Sequence, residues 1–229
     1  MSVELFAPLA DTVRPADFAG QYSFFHDGWP GTLTLQVQGG RALRGTYRDE
    51  RFAETFTVIA KVDPVVRHRV AITIRDFNWL PEQVFTGCLS TRDRQVIAGT
   101  TRWRDEPFGF LAAKEPVREP DVYRSGPVEP ADFAGHYELV HDGLRGTVEL
   151  AHEDGLALTG RLRTAELDLA VRGEVDPAVG HGITLRLTGD LRLSTVRFTG
   201  HLFTRPKNTI AGTVEGPAGP TGFYLVKRG

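Results

Sequence analysis

The amino-acid sequence predicts an all-β protein made of two tandem antiparallel up-and-down β-barrels, each with about eight strands. Three observations support this prediction. The chain repeats itself, since PADFAGQYSFFHDGWPGTL at 15–33 matches PADFAGHYELVHDGLRGTV at 130–148. Short segments rich in β-branched and aromatic residues recur at the spacing of an all-β domain, with turn-forming residues between them. No segment shows sustained helical periodicity.

The repeat divides the chain into two domains and a linker. Beyond the first match, the short sequences VDP, FTG and IAGT each recur in the same order in both copies. Residues 115–129 lie between the copies and are rich in proline and charge, as linkers are. We therefore expect a first barrel over 1–114, a linker over 115–129 and a second barrel over 130–229.

Turn formers, such as Asp-Gly at 27–28, separate the strands of the first copy. Alternation is clear in the second strand, where Leu33, Leu35 and Val37 share one face. The sequence PADF at 15–18 predicts one helical turn before the first strand, because proline is favoured early in helices. The expected strands are 20–25, 31–37, 43–48, 52–62, 69–76, 83–90, 96–103 and 108–114.

Strands joined by hairpins leave two unpaired edges unless the sheet closes or a second sheet covers it. Closure at eight strands leaves an interior that side chains fill or that holds one small ligand. The same pattern permits a flattened sandwich, which is the alternative architecture. We expect the closed barrel.

Several short motifs resemble those of known barrel families. FAGQY at 18–22 and FAGHY at 133–137 resemble the F-x-G-x-[WY] first strand of lipocalins and fatty-acid-binding proteins. GTY at 45–47, VFTG at 84–87 and Trp103 are similar in order to the strand motifs of the avidin–streptavidin family. This resemblance to calycin-like barrels implies an up-and-down barrel with a ligand at one open end. It does not imply biotin, because the polar residues of the avidin type have no match here.

Composition and charge argue against several classes of function. With a net charge of −2 there is no electrostatic reason to expect a nucleic-acid partner. No apolar stretch is long enough to span a bilayer, and residues 1–13 do not resemble a secretion signal, so we expect a cytoplasmic protein with no membrane partner. The single cysteine, Cys88, fits a reducing compartment, and alternation directs it away from the barrel interior. No metal or nucleotide motif is present, so we expect no metal and no cofactor.

One end of the first barrel collects the chemically distinctive side chains. Alternate connections of an up-and-down barrel lie at one end, and those after the first, third, fifth and seventh strands carry all three tryptophans of the chain. Aromatic walls with a few polar groups are typical of small-molecule sites. The predicted ligand-binding residues are Tyr22, Phe24, Trp29, Tyr47, Trp79, Trp103, Arg48, Arg104 and Asp105.

The two copies differ at this end. The alternative to binding is that the aromatic rings only plug the barrel. The second copy, however, replaces Trp29, Tyr47, Trp79 and Trp103 by Leu144, Leu162, Arg192 and Gly216. Because the second copy is built without them, the fold does not require these aromatic residues. We expect the first barrel to hold the ligand and the second to serve as a scaffold or interface.

His-Asp-Gly occurs in both copies, at 26–28 and 141–143. Asp-Gly favours a type I′ hairpin turn, so the structural interpretation of this element comes first. If His26 points inward beside Tyr22 and Phe24, it is the candidate catalytic residue, acting as a general base with a near-neutral pKa. His68 and His181 also match between the copies, and we interpret them as making a shared turn contact.

The leading functional hypothesis is that the first barrel binds a small, largely apolar, ring-containing molecule. The alternative is a cofactor-independent cyclase or isomerase of a natural-product pathway, similar in shape to lipocalin-like cyclases, which works by positioning its substrate. A second alternative is a structural or protein-interaction module with filled barrels. Homo-oligomers are compatible with all three hypotheses.

Overall fold

The structure is a computed structural model that describes residues 6–77, 80–115, 117 and 126–228. The first repeat forms eight strands: β1 (Gly20–His26), β2 (Trp29–Gly39), β3 (Ala42–Asp49), β4 (Glu54–Val62), β5 (Arg69–Phe77), β6 (Leu80–Leu89), β7 (Val96–Trp103) and β8 (Glu106–Ala113). The second repeat forms eight more: β9 (Gly135–His141), β10 (Leu144–His152), β11 (Ala157–Thr164), β12 (Asp168–Val175), β13 (Gly182–Thr188), β14 (Arg197–Leu202), β15 (Thr209–Glu215) and β16 (Thr221–Lys227).

Each set of strands closes on itself. In barrel one, β1 pairs antiparallel with both β2 and β8, and in barrel two β9 pairs in the same way with β10 and β16. Consecutive strands are neighbours throughout, so both barrels are up-and-down. The predicted fold, two tandem closed barrels, is confirmed, and the flattened sandwich is wrong. This is the architecture that the calycin resemblance implies.

The predicted strands all occur in barrel one, with shifts of a few residues at their ends. β7 has the predicted bounds, whereas β4 begins at Glu54 instead of residue 52. The delay follows from Ala53, whose φ of 57° belongs to a turn and not to a strand. The helical turn predicted at 15–18 is present as a single 3-10 turn, Pro15–Phe18.

The outer faces of β6–β8 and β14–β16 pack the two barrels against each other. These faces are apolar, which is unusual for a strand surface that would otherwise meet water. Cys88 faces away from the barrel-one interior, as expected, and is buried in this interface, where burial raises its pKa to about 12. The apolar interface residues are Phe25, Val96, Ala98, Leu111, Ala113, Val140, Phe203, Ala211 and Tyr224.

Two matched glycines allow the barrels to approach closely. A Cβ atom on Gly109 would lie 2.7 Å from the carbonyl oxygen of Ala211, and one on Gly222 would lie 2.8 Å from that of Ala98. Both distances are far inside van der Waals contact, and the atoms met are backbone. The interface therefore obeys an approximate two-fold symmetry, with equivalent residues making equivalent contacts.

The His-Asp-Gly element takes part in this symmetry. Asp27 accepts hydrogen bonds from the backbone N–H and hydroxyl of Thr204 at 2.5 and 2.6 Å, and Asp142 accepts the same pair from Thr91 at the same distances. Both aspartates have a φ of 49°, as a type I′ turn requires, so the predicted hairpin role is also present. The element recurs because it forms both the turn and the contact between barrels.

The matched histidines make a second symmetric pair of contacts. His68 Nε2 donates to the carbonyl oxygen of Pro220 at 2.6 Å, and His181 Nε2 donates to that of Pro107 at 2.7 Å. The sequence predicts that these histidines make a contact within their own turn, and this prediction is wrong. Each histidine instead donates a hydrogen bond to the opposite barrel, because the hairpin ends of one barrel lie beside those of the other.

Two general features bear on function. No helix among the described residues is long and apolar enough to cross a membrane. Within the same residues, no group of three or more His, Cys, Asp or Glu side chains is placed to hold a metal ion. Most of the predicted linker, residues 116 and 118–125, lies outside the described residues.

Candidate functional site

The candidate site is the end of barrel one that carries its odd-numbered hairpins, here called the aromatic end. The up-and-down order places the connections β1–β2, β3–β4, β5–β6 and β7–β8 there. Aromatic rings in mutual contact fill it. The ring of Phe24 lies 5.3 Å from Tyr47, 5.1 Å from Phe85 and 5.6 Å from Phe110, measured between centroids. Phe77 adds a further ring 5.0 Å from Tyr47.

His26 points inward among these rings. Its centroid lies 5.3 Å from Phe77 and 5.8 Å from Phe85, and its Nε2 atom is buried with no hydrogen-bond partner among the described residues. Burial, helped by the positive charge of Arg51, lowers the pKa of His26 to about 3. This value differs from the near-neutral pKa expected of a general base. The imidazole is therefore neutral at physiological pH and suited to hydrogen bonding.

Tyr47 also has an unsatisfied polar atom. Its ring is fully buried, 6.3 Å from the His26 ring, and within residues 6–77, 80–115, 117 and 126–228 its hydroxyl has no hydrogen-bond partner. Burial raises the pKa of this hydroxyl, which therefore stays protonated and can donate. Two neighbouring polar groups at the aromatic end thus have no partner among the residues that the structure describes.

A buried ion pair, which the sequence analysis missed, lies beside them. The carboxylate of Asp49 has no exposed side-chain surface and is bound by Arg51, whose Nε lies 2.9 Å from Oδ1. Burial alone would raise the pKa of Asp49, but the hydrogen bonds from Arg51 outweigh it and hold the pKa below its usual range. Alternation along β3 contained a signal for this residue, since Asp49 is two positions from inward-facing Tyr47.

A further buried polar pair lies on β6 and β7. Gln83 donates through Nε2 to the Thr101 hydroxyl at 3.3 Å, and that hydroxyl donates to the carbonyl oxygen of Val84 at 2.7 Å. The sequence analysis missed this pair as well. Both side chains could have been found by extending the inward positions of their strands towards the aromatic end.

The other predicted site residues lie in different places. Tyr22 is buried deeper in the barrel, and its hydroxyl donates to the carbonyl oxygen of Phe18 at 2.9 Å. Trp29 and Trp103 are half-buried at the rim. The exposed residues, which do not line the interior, are Arg48, Arg104 and Asp105; Trp79 lies outside the described residues.

Trp29 connects the rim to the other barrel. The guanidinium carbon of Arg205, on the β14–β15 connection, lies 3.5 Å from the Trp29 ring centroid, and that of Arg51 lies 4.1 Å away. Cations over an indole face are attracted by its quadrupole. Arg51 therefore links the Asp49 carboxylate to the rim tryptophan.

The equivalent end of barrel two has a different interior. His141 points inward and is equally buried, but its Nε2 is hydrogen-bonded to the Thr221 hydroxyl at 2.7 Å. The position of Thr221 corresponds to Phe108 in barrel one, so His26 lacks this partner. The buried polar residues Tyr47, Asp49, Gln83 and Thr101 of barrel one correspond to Leu162, Thr164, Val196 and Val214.

Comparisons with known proteins identify no family for this chain. No family model matches it, and no curated protein matches it in sequence. Among solved structures it is similar to a protein of unknown function from the DUF3598 family of Nostoc punctiforme PCC 73102, at 10% identity and a TM-score of 0.32. That alignment covers 94% of this chain and 98% of the other.

Proposed function

We propose that barrel one binds a small, uncharged, ring-containing molecule whose polar group hydrogen-bonds to His26 and Tyr47. The observation that carries this proposal is a pair of buried polar atoms, His26 Nε2 and the Tyr47 hydroxyl, that have no partner in the described part of the chain. An unsatisfied buried polar group costs about 1–3 kcal/mol. A ligand that pairs with both atoms recovers this cost on binding.

The second barrel shows that this cost is not required by the fold. It closes with the same strand order, satisfies His141 through Thr221 and has Leu162 where barrel one has Tyr47. Among the described residues, buried polar atoms without a partner at this end therefore occur in barrel one and not in barrel two. We attribute them to a ligand, since they destabilise the empty barrel.

The side chains also suggest the chemistry of the ligand. Phenylalanine rings form the walls, which favours a planar ring, and the Tyr47 hydroxyl donates, which favours a carbonyl or another oxygen acceptor. The Asp49 carboxylate is already neutralised by Arg51, so the site has no uncompensated charge to attract an ionic ligand. Half-buried Phe56 stacks on Tyr47 at 6.3 Å, between that ring and the surface.

One observation favours a different function, a structural or protein-interaction module. The rings at the aromatic end already contact one another, so a ligand must displace at least one of them. The enzymatic alternative, a cyclase or isomerase, depends on the same site and would use positioning, because the low pKa of His26 disfavours proton abstraction.

Native mass spectrometry of protein purified from its own host tests the proposal. We expect a bound molecule in the wild type and in Tyr22→Phe, whose hydroxyl is bonded within the protein, and its loss in Tyr47→Leu. Titration with prodan, a neutral fluorescent naphthyl ketone, provides a second readout, with weaker binding to Tyr47→Phe by about five- to tenfold. Absence of both a bound molecule and prodan binding would favour the interaction module.

A further inference from the structure

Barrel two has a cavity at the end that corresponds to the aromatic end of barrel one. Its volume is about 70 Å³. Its walls are mainly leucine side chains, with one buried histidine and a rim that includes Arg145 and Glu166. The leucines are Leu139, Leu144, Leu162 and Leu167, and the histidine is His141. This cavity, the end cavity, lies where Phe24, Trp29 and Tyr47 would be in barrel one.

A residue from outside barrel two forms part of its wall. Phe6 precedes all the strands of barrel one, yet it is 5% exposed and belongs to the hydrophobic core of barrel two. Its ring lies 5.3 Å from the His141 ring and meets Phe198 edge-on at 6.2 Å. The carbonyl oxygen of Phe6 is 3.6 Å from where a Cβ on Gly216 would lie.

Hydrogen bonds join the described part of the Phe6 segment to barrel one. The carbonyl oxygen of Ala7 accepts from Arg92 Nη2 at 3.2 Å, and the N–H of Leu9 donates to the Thr91 hydroxyl at 2.7 Å. Both hydrogen bonds are to barrel one, whereas the ring of Phe6 packs in barrel two. Between Phe6 and β1 the chain forms two short 3-10 turns, Ala10–Thr12 and Pro15–Phe18.

We propose that the end cavity is a second binding site, for a small uncharged molecule with a single aromatic ring, and that Phe6 occupies part of it as a tethered competitor. The phenyl ring of Phe6 already makes the ring contacts that such a ligand would make with His141 and Phe198. Displacing Phe6 joins its volume to the existing cavity. The chemical class therefore follows from the group that now fills the site.

The walls account for this selectivity. His141 Nε2 is bonded to Thr221, and burial lowers the pKa of His141 to about 3, so the imidazole is neutral and presents a ring face. Apolar cavities of this kind stay dry and take up benzene-sized molecules when large enough. The present volume is too small for a ring, which is why displacement of Phe6 is part of the proposal.

Toluene is the probe for this site, followed by NMR of leucine methyl groups in the full chain. We expect Phe6→Ala to bind toluene about tenfold to hundredfold more tightly than the wild type, because the competing ring is removed. The shifted methyl signals should belong to Leu139, Leu144 and Leu162. Leu162→Tyr, which introduces the barrel-one residue and fills the cavity, should abolish binding in both backgrounds.

Two results would overturn the proposal: equal toluene affinity in the wild type and Phe6→Ala, or shifts outside the end cavity. If Phe6→Ala does not fold, the comparison of the wild type with Leu162→Tyr at high toluene concentration decides. Binding at the barrel-one site is distinguished by Tyr47→Phe, which should leave the toluene shifts of the end cavity unchanged.

Discussion

The ends of the two barrels have the same backbone and opposite interiors. Within the described residues, the end of barrel one is filled by its own rings and carries unpaired polar groups, whereas in barrel two it is lined mainly by leucines, its buried histidine is paired with Thr221, and Phe6 partly closes a cavity. The interface between the barrels shows the reverse, because its aspartate–threonine hydrogen bonds, its histidine–carbonyl hydrogen bonds and the close approaches at Gly109 and Gly222 each occur twice, once from each side. Residues needed for the assembly have stayed alike in the two copies, and the barrel ends differ because the fold leaves them free.

The largest effect should come from breaking the symmetric interface. Gly109→Val and Gly222→Val each force a side chain against backbone of the other barrel, and each should lower the free energy of unfolding by about 3 kcal/mol. Urea unfolding measures the loss. Gly216→Ala is the control, since its Cβ would make only an ordinary contact at 3.6 Å. If only one of the two valine variants lost stability, the two sides of the interface would not be equivalent.

The next effect concerns pH and the two buried histidines. Their pKa values are about 3 in the folded protein and 6.5 as a reference, so the unfolded chain binds more protons between these values. The contribution of these two histidines to the free energy of unfolding is therefore fully present above pH 6.5 and is lost as the pH falls towards 3. Each histidine should account for about 2 kcal/mol between pH 6.5 and pH 5.

His26→Phe and His141→Phe test this assignment. Each should remove its share of the pH dependence, as followed by urea unfolding at several pH values. At pH 7, His26→Phe should be the more stable variant, because His141→Phe leaves the Thr221 hydroxyl without its partner. Tyr47→Phe should keep the wild-type pH slope. An unchanged slope in both histidine variants would mean that these groups bind protons equally in the folded and unfolded states, so that folding does not lower their pKa.

The smallest effect separates paired from unpaired hydroxyls. Tyr47→Phe removes a buried hydroxyl that has no partner in the described part of the chain, and it should raise the free energy of unfolding by about 1 kcal/mol. Tyr22→Phe removes a hydroxyl bonded to Phe18 and should lower it by about the same amount. Thermal unfolding of the two variants measures the contrast. A loss of stability in Tyr47→Phe would show that its hydroxyl is satisfied in the empty barrel.

The candidate site was only partly predictable from the sequence. Counting hairpins located the aromatic end, and alternation along β3 was enough to direct Tyr47 inward. The same alternation directs Arg48 outward and Asp49 inward. Arg48 is therefore exposed, and Asp49 is the charged residue of β3 that lies at the site. Arg51 could not have been found in this way, because it lies in a turn, where side-chain direction has no fixed period.

The sequence by itself determined the duplication, the strands and their closure into barrels, because these depend on local alternation, turn residues and pairing between neighbours in the chain. Only the tertiary structure decided what His-Asp-Gly, His68 and His181 contact, since their partners lie in the other barrel. It also placed Phe6 in the core of barrel two. Such contacts depend on how two finished surfaces meet, and no periodicity within one segment encodes that geometry.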